Sequence, residues 1–451
     1  MIPFKLSEEL IEQIEHLIET NGDVTLLDMM EDFHYADIAE IIHELNLDEA
    51  TYIIKLLDSE KTSDILTELD EDIREQILGN LSAKEIAEEI SELDTDDAAD
   101  IIAELPDERV NEIIAQIDDK DHARHIVELL RYDEDSAGGL MAKELVRVRE
   151  TWTVAGCVRK MRAQAQNVTR VHSVYVVDKN DHLIGRLSLK DLLTAEAKSN
   201  ISDIYIPNVD SVNVHDTAED VARIMQKYDL EAVPVINDAG VLLGRITVDD
   251  ILDFIRDEAD EDYRMAAGIS QVVEADDNLL KLTRARLPWL LIGMFGGLGA
   301  ASIITGFNSI FETFPKLLVF VPLIQATAGN VGVQSSAIVV QGLANDSLKG
   351  NIAGRLLKEC ALAIINGLAI ATVVLVISHF FFETTYLESV SIGVAIIAVI
   401  ILAALIGTFI PIVLDKRGID PAVATGPFIT TSNDVFGILT YFLIAKLILG
   451  F

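Results

Sequence analysis

The chain has 451 residues, and its formal net charge of −39 and sequence pI of about 4.4 argue against a nucleic-acid partner, because like charges repel. Only eight acidic and seven basic residues follow Arg286, so nearly all of the negative charge belongs to residues 1–286. The two cysteines, Cys157 and Cys360, lack the spacing of a metal site or a disulfide, which is typical of a reducing cytoplasm. The segment Met1–Glu31 has the pattern of a charged, soluble helix, so we expect no signal peptide.

Residues 1–135 are predicted to form an all-helical cytoplasmic domain. A short motif of an acidic residue followed by Ile recurs at Asp37, Asp64, Glu85 and Asp100. Short helices separated by polar turns indicate a superhelical stack, in which neighbouring helices complete each other's core. Asp96, Asp97 and Asp100 fall within one helical turn and could offer oxygen ligands to a hard divalent cation. The alternative is a solvated acidic face, which we expect for most carboxylates of this region.

An internal repeat follows, in which Val174–Leu193 aligns without gaps with Val233–Leu252. Each copy has the pattern of two strands and a helix, preceded by an amphipathic helix, so the unit is a small α/β module. This duplication resembles a tandem pair of CBS domains, and we assign the first to 136–200 and the second to 201–256. Such pairs are regulatory modules.

The resemblance also implies a nucleotide site. In some relatives, a Ser or Thr and an Asp at the second strand-to-helix turn hold an adenosine ribose. Ser188 with Asp191, and Thr247 with Asp250, match that pattern, which makes ATP a candidate modulator. The alternative, that both hydroxyls only cap helices, is the interpretation we favour, because capping alone is a sufficient reason for Ser or Thr there.

A linking helix is predicted over 257–283, and a transmembrane domain of five helices over 284–451. Each span has the roughly 20 apolar residues that a helix needs to cross a bilayer. The predicted spans are Leu287–Phe307, Leu317–Val340, Leu357–Phe381, Ile392–Leu414 and Thr425–Leu449. Basic residues, including Lys281, Arg284, Lys349 and Lys416, fall mainly on the side shared with the acidic half. The positive-inside rule therefore predicts cytoplasmic N-terminal domains and an external C-terminus.

Asp434 lies about halfway along the fifth predicted span. An unpaired carboxylate at membrane depth costs several kcal/mol, so by default it faces a bundle interior or a water-filled path and works on an ion or proton. The alternative is that Asp434 only forms a hydrogen bond with a neighbouring helix. Pro421, Gly426 and Pro427 can interrupt the entry to this span and expose backbone carbonyls. Because the five spans contain no inverted repeat, a pore shared between two protomers of a homodimer fits best.

Two segments, Ala328–Ser336 and Ile419–Asp434, together with Arg286–Leu290 and the domain order, make the chain similar to the MgtE family of bacterial magnesium channels over almost its whole length. The resemblance implies a homodimeric, Mg²⁺-selective channel in the inner membrane, surrounded by lipid, whose cytoplasmic domains bind Mg²⁺ and close the pore. Ala326–Gly329 and Gln341 depart from the family pattern, so a channel for another divalent cation such as Co²⁺ stays open.

The same resemblance assigns the site residues. Asp434 is the implied pore ligand, with Asn330, Gly329, Pro427 and Thr430 lining the path. The implied cytoplasmic Mg²⁺ ligands are Asp96, Asp100, Glu219, Asp229, Asp250, Asp253, Glu258, Glu261, Asp262 and Asp420.

Two other classes of function, a nucleotide sensor and an enzyme, explain less of the sequence. A membrane-anchored nucleotide sensor would explain Ser188, Asp191 and Thr247, but it would leave Asp434 without a role. An enzyme is disfavoured, because we find no phosphate-binding Gly-rich loop, no His/Glu metal pair on one helix and no nucleophile motif. With Asp434 taken as the sole carboxylate of the spans, passive flow is predicted rather than proton coupling.

Overall fold

A computed structural model describes residues 4–164, 171, 173–273, 277–344, 352–424 and 426–450. Its contacts divide the chain into two compact units, Met1–Ile255 and Arg256–Phe451. Two residues used in the sequence predictions, Lys349 and Thr425, lie outside the described residues.

The first unit begins with ten short helices, as the sequence predicts. Several start at strong caps: in two capping boxes, Asn46 with Glu49 and Ser82 with Glu85, each side chain bonds the other residue's backbone N–H. Helices are α1 Glu8–Glu19, α2 Asp23–Glu31, α3 Tyr35–Glu44, α4 Leu47–Leu56, α5 Ser59–Glu68, α6 Glu71–Gly79, α7 Ala83–Ile90, α8 Thr95–Ala103, α9 Asp107–Gln116 and α10 Lys120–Leu129. Most pack on the helix two places along, as α3 does on α5 and α7 on α9.

The buried residues of these helices recur at helical spacing, as Ile38, Ile41 and Ile42 do on α3. Their core is continuous with that of the second α/β module, since Val233 and Ile246 belong to the same buried cluster. The helical region and this module therefore share one core.

Two sheets follow the helices. The first contains β1 Val146–Arg149, β2 Val174–Val177, β3 Leu183–Leu187 and β4 Ile206–Pro207, and the second contains β5 Val212–Asn213, β6 Ala232–Ile236 and β7 Leu242–Thr247. Three helices accompany them: α11 Val154–Gln164, α12 Leu189–Thr194 and α13 Ala218–Tyr228. In each sheet the strand pair of the repeat is antiparallel and shifts register at an equivalent point, between Val176 and Val177 and between Val235 and Ile236. The sequence repeat is thus a structural repeat.

Helix α14, Val248–Ala267, begins within the segment assigned to the second CBS domain. The linking helix predicted over 257–283 therefore does not begin at residue 257, because residues 257–267 are the second half of α14. The next helix begins at Leu279.

Five helices of the second unit are long and apolar enough to cross a membrane, which confirms the predicted spans. They are α15 Leu279–Gly306, α18 Val321–Ala344, α19 Ile352–Phe381, α20 Tyr386–Asp415 and α21 Gly426–Leu449, with the short α16 Asn308–Thr313 and α17 Lys316–Val319 between the first two. Helix α20 is central and packs against α18, α19 and α21, whereas α15 packs on α21.

Glycines set the closest approach among these helices. A Cβ added at Gly407 of α20 would lie 2.4 Å from the carbonyl oxygen of Gly332 on α18. A Cβ added at Gly332 would in turn overlap the side chain of Asn433 on α21. Small residues therefore bring three helix backbones together, as is typical of membrane helices.

Candidate ion path and acidic cluster

The start of α21 is built around an interrupted backbone. A 3₁₀ turn, Pro421–Ala424, precedes the helix, and Gly426 has a φ of +40°. The Thr430 hydroxyl donates to the carbonyl oxygens of Gly426 and Pro427, both at 3.1 Å, so these carbonyls are directed along the helix. Asp434 lies one turn after Thr430 and on the same face. In the part of the chain that the structure describes, the partly exposed Asp434 carboxylate has no ion-pair partner.

Helix α18 meets α21 at this level. Gly329 is buried, and a Cβ added there would lie 3.6 Å from Cγ2 of Thr430. The structure therefore brings together two of the residues predicted to line the path. Asn330 lies on the exposed side of the same turn. In a single chain it is open to solvent, lipid or a second copy.

The end of α14 packs directly on the entry to α21. A Cβ at Gly268, which has a φ of +75°, would lie 2.6 Å from Cγ of Pro427, and a Cβ at Gly426 would lie 2.1 Å from the carbonyl oxygen of Ala266. Glycine is required at both positions because they combine positive φ with close contact. The predicted path residue Pro427 is thus covered by the segment that follows α14.

In the first unit, four carboxylates gather around the start of α8: Asp96, Asp97, Asp100 and Asp250. Burial is the main cause of their raised pKa values, and their mutual repulsion adds to it. The pKa values of Asp97 and Asp100 rise to about 7. Asp96 is 7% exposed, its pKa is well above the ordinary value, and its Oδ1 is buried without a hydrogen-bond partner.

Few cations balance these carboxylates. Arg74 lowers the pKa of Asp100 but is itself bonded to Glu104 and to two carbonyl groups. Arg245 is 3.4 Å from Asp94, which precedes α8, and it partly offsets the raised pKa of Asp250. The region therefore keeps a net negative charge close to a helix N-terminus, where negative charge is favoured.

The N-terminus of α8 is held from another part of the chain. Glu144 Oε2 accepts hydrogen bonds from the backbone N–H of Thr95, at 3.1 Å, and from its hydroxyl, at 2.8 Å. Asp94 occupies the cap position but makes no side-chain cap bond. Because Glu144 replaces it as the cap, the Asp94 carboxylate is left to face Arg245. Glu144 could not be recognised from the sequence, because nothing in its local pattern indicates this long-range contact.

The cluster is not a preformed metal site in one chain. Among the residues that the structure describes, no three His, Cys, Asp or Glu side chains are arranged to hold a metal ion. The donor set nevertheless fits a hard cation, because carboxylate oxygens are the ligands that Mg²⁺ prefers and one of them, on Asp96, lacks a partner. Asp96, Asp97, Asp100 and Asp250 would hold such an ion.

Of these four carboxylates only Asp96 is buried, whereas Asp97 and Asp250 are partly exposed and Asp100 is exposed. The other predicted cytoplasmic ligands are not part of this cluster. Glu258 and Asp262 are partly exposed. Asp420 is exposed, and its Oδ1 accepts the backbone N–H of Ala422 at 2.7 Å. The remaining ligands of this group, all exposed, are Glu219, Asp229, Asp253 and Glu261.

The residues predicted to hold a ribose are engaged locally. The Ser188 hydroxyl accepts the N–H of Lys190, which caps α12. The Thr247 hydroxyl donates to Asp250 Oδ2 at 2.6 Å. Neither these residues nor Asp191 line the cavity of about 100 Å³ found between the two sheets.

That cavity has polar and aromatic walls that the sequence analysis did not identify. Tyr175, Arg186, Asn208 and Asp210 line it together with Pro234. The Tyr175 hydroxyl is buried without a hydrogen-bond partner. An aromatic ring, a guanidinium and an unpartnered hydroxyl can contact parts of a nucleotide, but a cavity of about 100 Å³ does not enclose one, since ligand pockets begin at roughly 300 Å³.

The premise that the spans contain one carboxylate was wrong. Glu359 lies in the third span, is 7% exposed, and accepts a hydrogen bond from the Ser335 hydroxyl at 2.7 Å. The sequence alone places Glu359 two residues after Leu357, the predicted start of the span. Its burial and its partner on α18 could be seen only in the structure.

Family models match most of the chain. The model described as the MgtE intracellular N domain matches residues 33–135, CBS domain models match 137–198 and 201–257, and the MgtE model, described as a divalent cation transporter, matches 321–444. These matches follow the same order as the structural elements.

Two solved structures resemble the first part of the chain. One is the soluble part of a magnesium transporter, with 29% identity and a TM-score of 0.50, covering 56% of this chain and 99% of that one. The other is the cytosolic domain of the Mg²⁺ channel MgtE in complex with ATP, with 31% identity and a TM-score of 0.51, covering 54% and 99%.

Whole proteins are similar as well. The magnesium transporter MgtE of Enterococcus faecalis is 40% identical over 330 residues, 73% of this chain and 72% of the relative. That of Thermus thermophilus is 35% identical over 71% of this chain and 72% of the relative. An enzyme, inosine-5'-monophosphate dehydrogenase of Staphylococcus aureus, matches only through the CBS pair, over 36% of this chain. The chain therefore belongs to the MgtE family of divalent cation transporters, not to an enzyme family.

Proposed function

We propose that the chain is a magnesium channel of the bacterial inner membrane that closes when Mg²⁺ binds its cytoplasmic domains. The observation that carries the proposal is the Asp434 carboxylate, which stands without an ion-pair partner among the described residues of five membrane-length helices. The relatives from Enterococcus faecalis and Thermus thermophilus are both magnesium transporters.

The chemistry of Mg²⁺ suits this carboxylate. The ion takes oxygen ligands and gives up its water reluctantly, so carboxylates from two copies of Asp434 can hold it while it stays largely hydrated. Binding through water is weak enough to let the ion leave again. Asn330, Gly329, Pro427 and Thr430 supply amide, hydroxyl and backbone oxygens along the path. The pore then lies on the axis of a homodimer embedded in lipid.

Closure is driven by the cytoplasmic carboxylates. Without a cation, Asp96, Asp97, Asp100 and Asp250 repel one another, and a bound Mg²⁺ would remove that repulsion. To move a gate from nearly all open to nearly all closed needs about 5.5 kcal/mol of differential binding, so several weak sites are more plausible than one tight site. The additional ligands of this proposal are Glu219, Asp229, Asp253, Glu258, Glu261, Asp262 and Asp420.

The contact of the α14 end with Pro427 supplies the link to the pore, because movement of this segment would uncover the entry to α21. In domain terms, residues 1–135 and the modules at 136–200 and 201–256 sense Mg²⁺, residues 257–283 transmit the change, and residues 284–451 conduct. The N-terminal domains are cytoplasmic and the C-terminus is external in this arrangement.

A nucleotide is a second ligand of the CBS pair in this proposal. The ATP complex of the similar cytosolic domain supports ATP as a modulator. The candidate ribose contacts remain Ser188, Asp191 and Thr247. The hydroxyls of Ser188 and Thr247 make local hydrogen bonds, and none of the three residues lines the cavity beside Tyr175.

Flux into proteoliposomes tests the proposal. The purified protein should pass Mg²⁺, and flux should fall as Mg²⁺ on the cytoplasmic face rises, with ATP shifting the Mg²⁺ concentration that halves it. Asp434→Asn should reduce flux to background, because it removes the charge that attracts the ion. Asp415→Asn, which neutralises an exposed carboxylate at the end of α20, is the matched control and should conduct normally.

The outcomes separate the alternatives. Normal conduction by Asp434→Asn would overturn the pore assignment. A higher flux of Co²⁺ than of Mg²⁺ would show that the channel selects another divalent cation, and it would point to the altered segment Ala326–Gly329 as the cause. ATP binding by folded protein without any ion flux would favour the nucleotide sensor, and flux that requires a proton gradient would overturn passive flow.

A further inference from the structure

Glu359 is a buried carboxylate that the proposed path does not use. It lies seven residues after the first residue of α19, about 10 Å along the helix axis. In the described part of the chain, no cation lies within ion-pair distance of it, although Arg355 is one turn earlier. Its contact is the hydroxyl of Ser335, itself 5% exposed, at 2.7 Å. A buried carboxylate in an apolar helix is costly, so its retention needs a physical reason.

The position of Ser335 on α18 suggests that reason. The side of α18 that faces α20 and α21 carries Gly329 and Gly332, which make close but non-directional contacts. Contacts of this kind set how closely the helices approach rather than how α18 is rotated about its axis. A hydrogen bond to a charged acceptor is directional and costly to break where water is scarce. The bond to Glu359 therefore resists rotation of α18 about its axis.

Rotation matters because of what else α18 carries. At 100° per residue, Asn330 lies about 140° around the helix from Ser335. When Ser335 points to α19, Asn330 is directed away from α19 and stays on the exposed side, while Gly329 stays against Thr430. Any turn of the helix would displace both residues of the candidate path.

We propose that Glu359 is a positioning residue for conduction: by accepting the Ser335 hydroxyl it sets the rotation of α18, and thereby the placement of Gly329 and Asn330. This inference rests on the proposed function. It requires an acceptor oxygen at position 359 and a hydroxyl at position 335, but not the negative charge itself.

Four variants test it in the full-length protein in proteoliposomes. Glu359→Ala and Ser335→Ala should each lower Mg²⁺ flux per folded protein about tenfold, corresponding to the loss of one buried hydrogen bond. The double variant should be no worse than either single variant, because both remove the same bond. Glu359→Gln keeps an acceptor oxygen and should retain at least about half of the flux. Each alanine variant should also change the ratio of Mg²⁺ to Co²⁺ flux in the same direction.

The control is Ser378→Ala on the same helix. Ser378 is fully buried, but its hydroxyl donates to Leu375 within α19, so its loss should leave flux and the Mg²⁺ to Co²⁺ ratio unchanged. Glu359→Gln as poor as Glu359→Ala would show that the charge acts on the ion directly and would overturn the positioning role. Unchanged flux and ratio in the alanine variants would overturn it as well. If the wild-type protein passes no divalent cation, the proposed function fails and this inference fails with it. If the wild-type protein conducts Mg²⁺ and the alanine variants conduct equally well, this inference fails but the proposed function stands.

Discussion

The two units of the molecule arrange their carboxylates in opposite ways. Around α8, Asp96, Asp97 and Asp100 crowd together: besides desolvation, the Asp97 carboxylate raises the pKa of Asp96, and the Asp100 carboxylate raises the pKa of Asp97. In the membrane helices, Glu359 stands apart with one hydroxyl partner, and Asp434 is one turn from Thr430. Crowded carboxylates are relieved by a proton or a cation, which suits a sensor, whereas a solitary carboxylate can attract an ion without trapping it.

The units also pack their helices differently. In the first unit, Ile and Leu side chains fill a continuous core from Ile14 to Ile251. In the second, close approach depends on glycines such as Gly332 and Gly407. Apolar side chains gain little by leaving lipid for protein, so membrane helices rely on tight van der Waals contact. The helices of the second unit should therefore be more sensitive to one added methyl group than the helices of the first.

The largest expected effect tests that difference. Gly407→Ala would place a Cβ 2.4 Å from the Gly332 carbonyl oxygen, a backbone atom that cannot move aside cheaply. Overpacking of this kind costs about 3 kcal/mol. We expect a clear fall in the thermal midpoint of the detergent-purified protein. Gly297→Ala on α15, where a Cβ meets nothing within 4 Å, is the matched control and should leave the midpoint unchanged. Equal midpoints for both variants would contradict close glycine packing.

A change in the acidic cluster should have an intermediate effect. Asp100→Asn removes one of the carboxylates that we assign to Mg²⁺, so the cytoplasmic Mg²⁺ concentration for half-inhibition of flux should rise about tenfold, or about 1.4 kcal/mol. Asp107→Asn, at an exposed position of the next helix, should not shift this concentration. Because repulsion is also relieved, Asp100→Asn should stabilise the first unit when Mg²⁺ is absent. An unchanged half-inhibitory concentration would remove Asp100 from the sensor.

The smallest effect concerns Glu89 on α7, which lies away from the cluster. Burial raises the pKa of Glu89 to about 7, and the carboxylates of Glu88, Asp58, Glu92 and Glu85 add to the shift. A folded-state pKa above the unfolded value of roughly 4.5 means that the folded state binds the proton more tightly. This contribution to stability is complete below about pH 4.5 and is lost as the pH rises through about 7.

The residue at position 89 cannot ionise in Glu89→Gln. The variant should therefore be more stable than the wild type at pH 8, by about 2 °C in the thermal midpoint of the first unit, and nearly equal to it at pH 4.5. Glu112→Gln, an exposed substitution on α9, is the control for the loss of one negative charge. A difference that is the same at both pH values would show that Glu89 does not titrate in this range.

The sequence was informative where the signal is local. The five spans, the helical first region and the duplicated strand pair follow from periodicity within about 20 residues, and the structure agrees with all three. It was less informative at element ends: α14 begins at Val248 rather than near residue 257, because an amphipathic pattern does not show where a helix joins its predecessor.

By itself, the sequence determined the domain order, the membrane spans and the place of Asp434 within an apolar helix, since each depends on residues close together in the chain. Only the tertiary structure decided that Asp250 joins Asp96 and Asp97, that Glu144 caps α8, and that Ser335 bonds Glu359. The physical reason is that burial, repulsion and hydrogen bonding act over a few ångströms, and residues far apart in sequence reach that distance only when the chain folds.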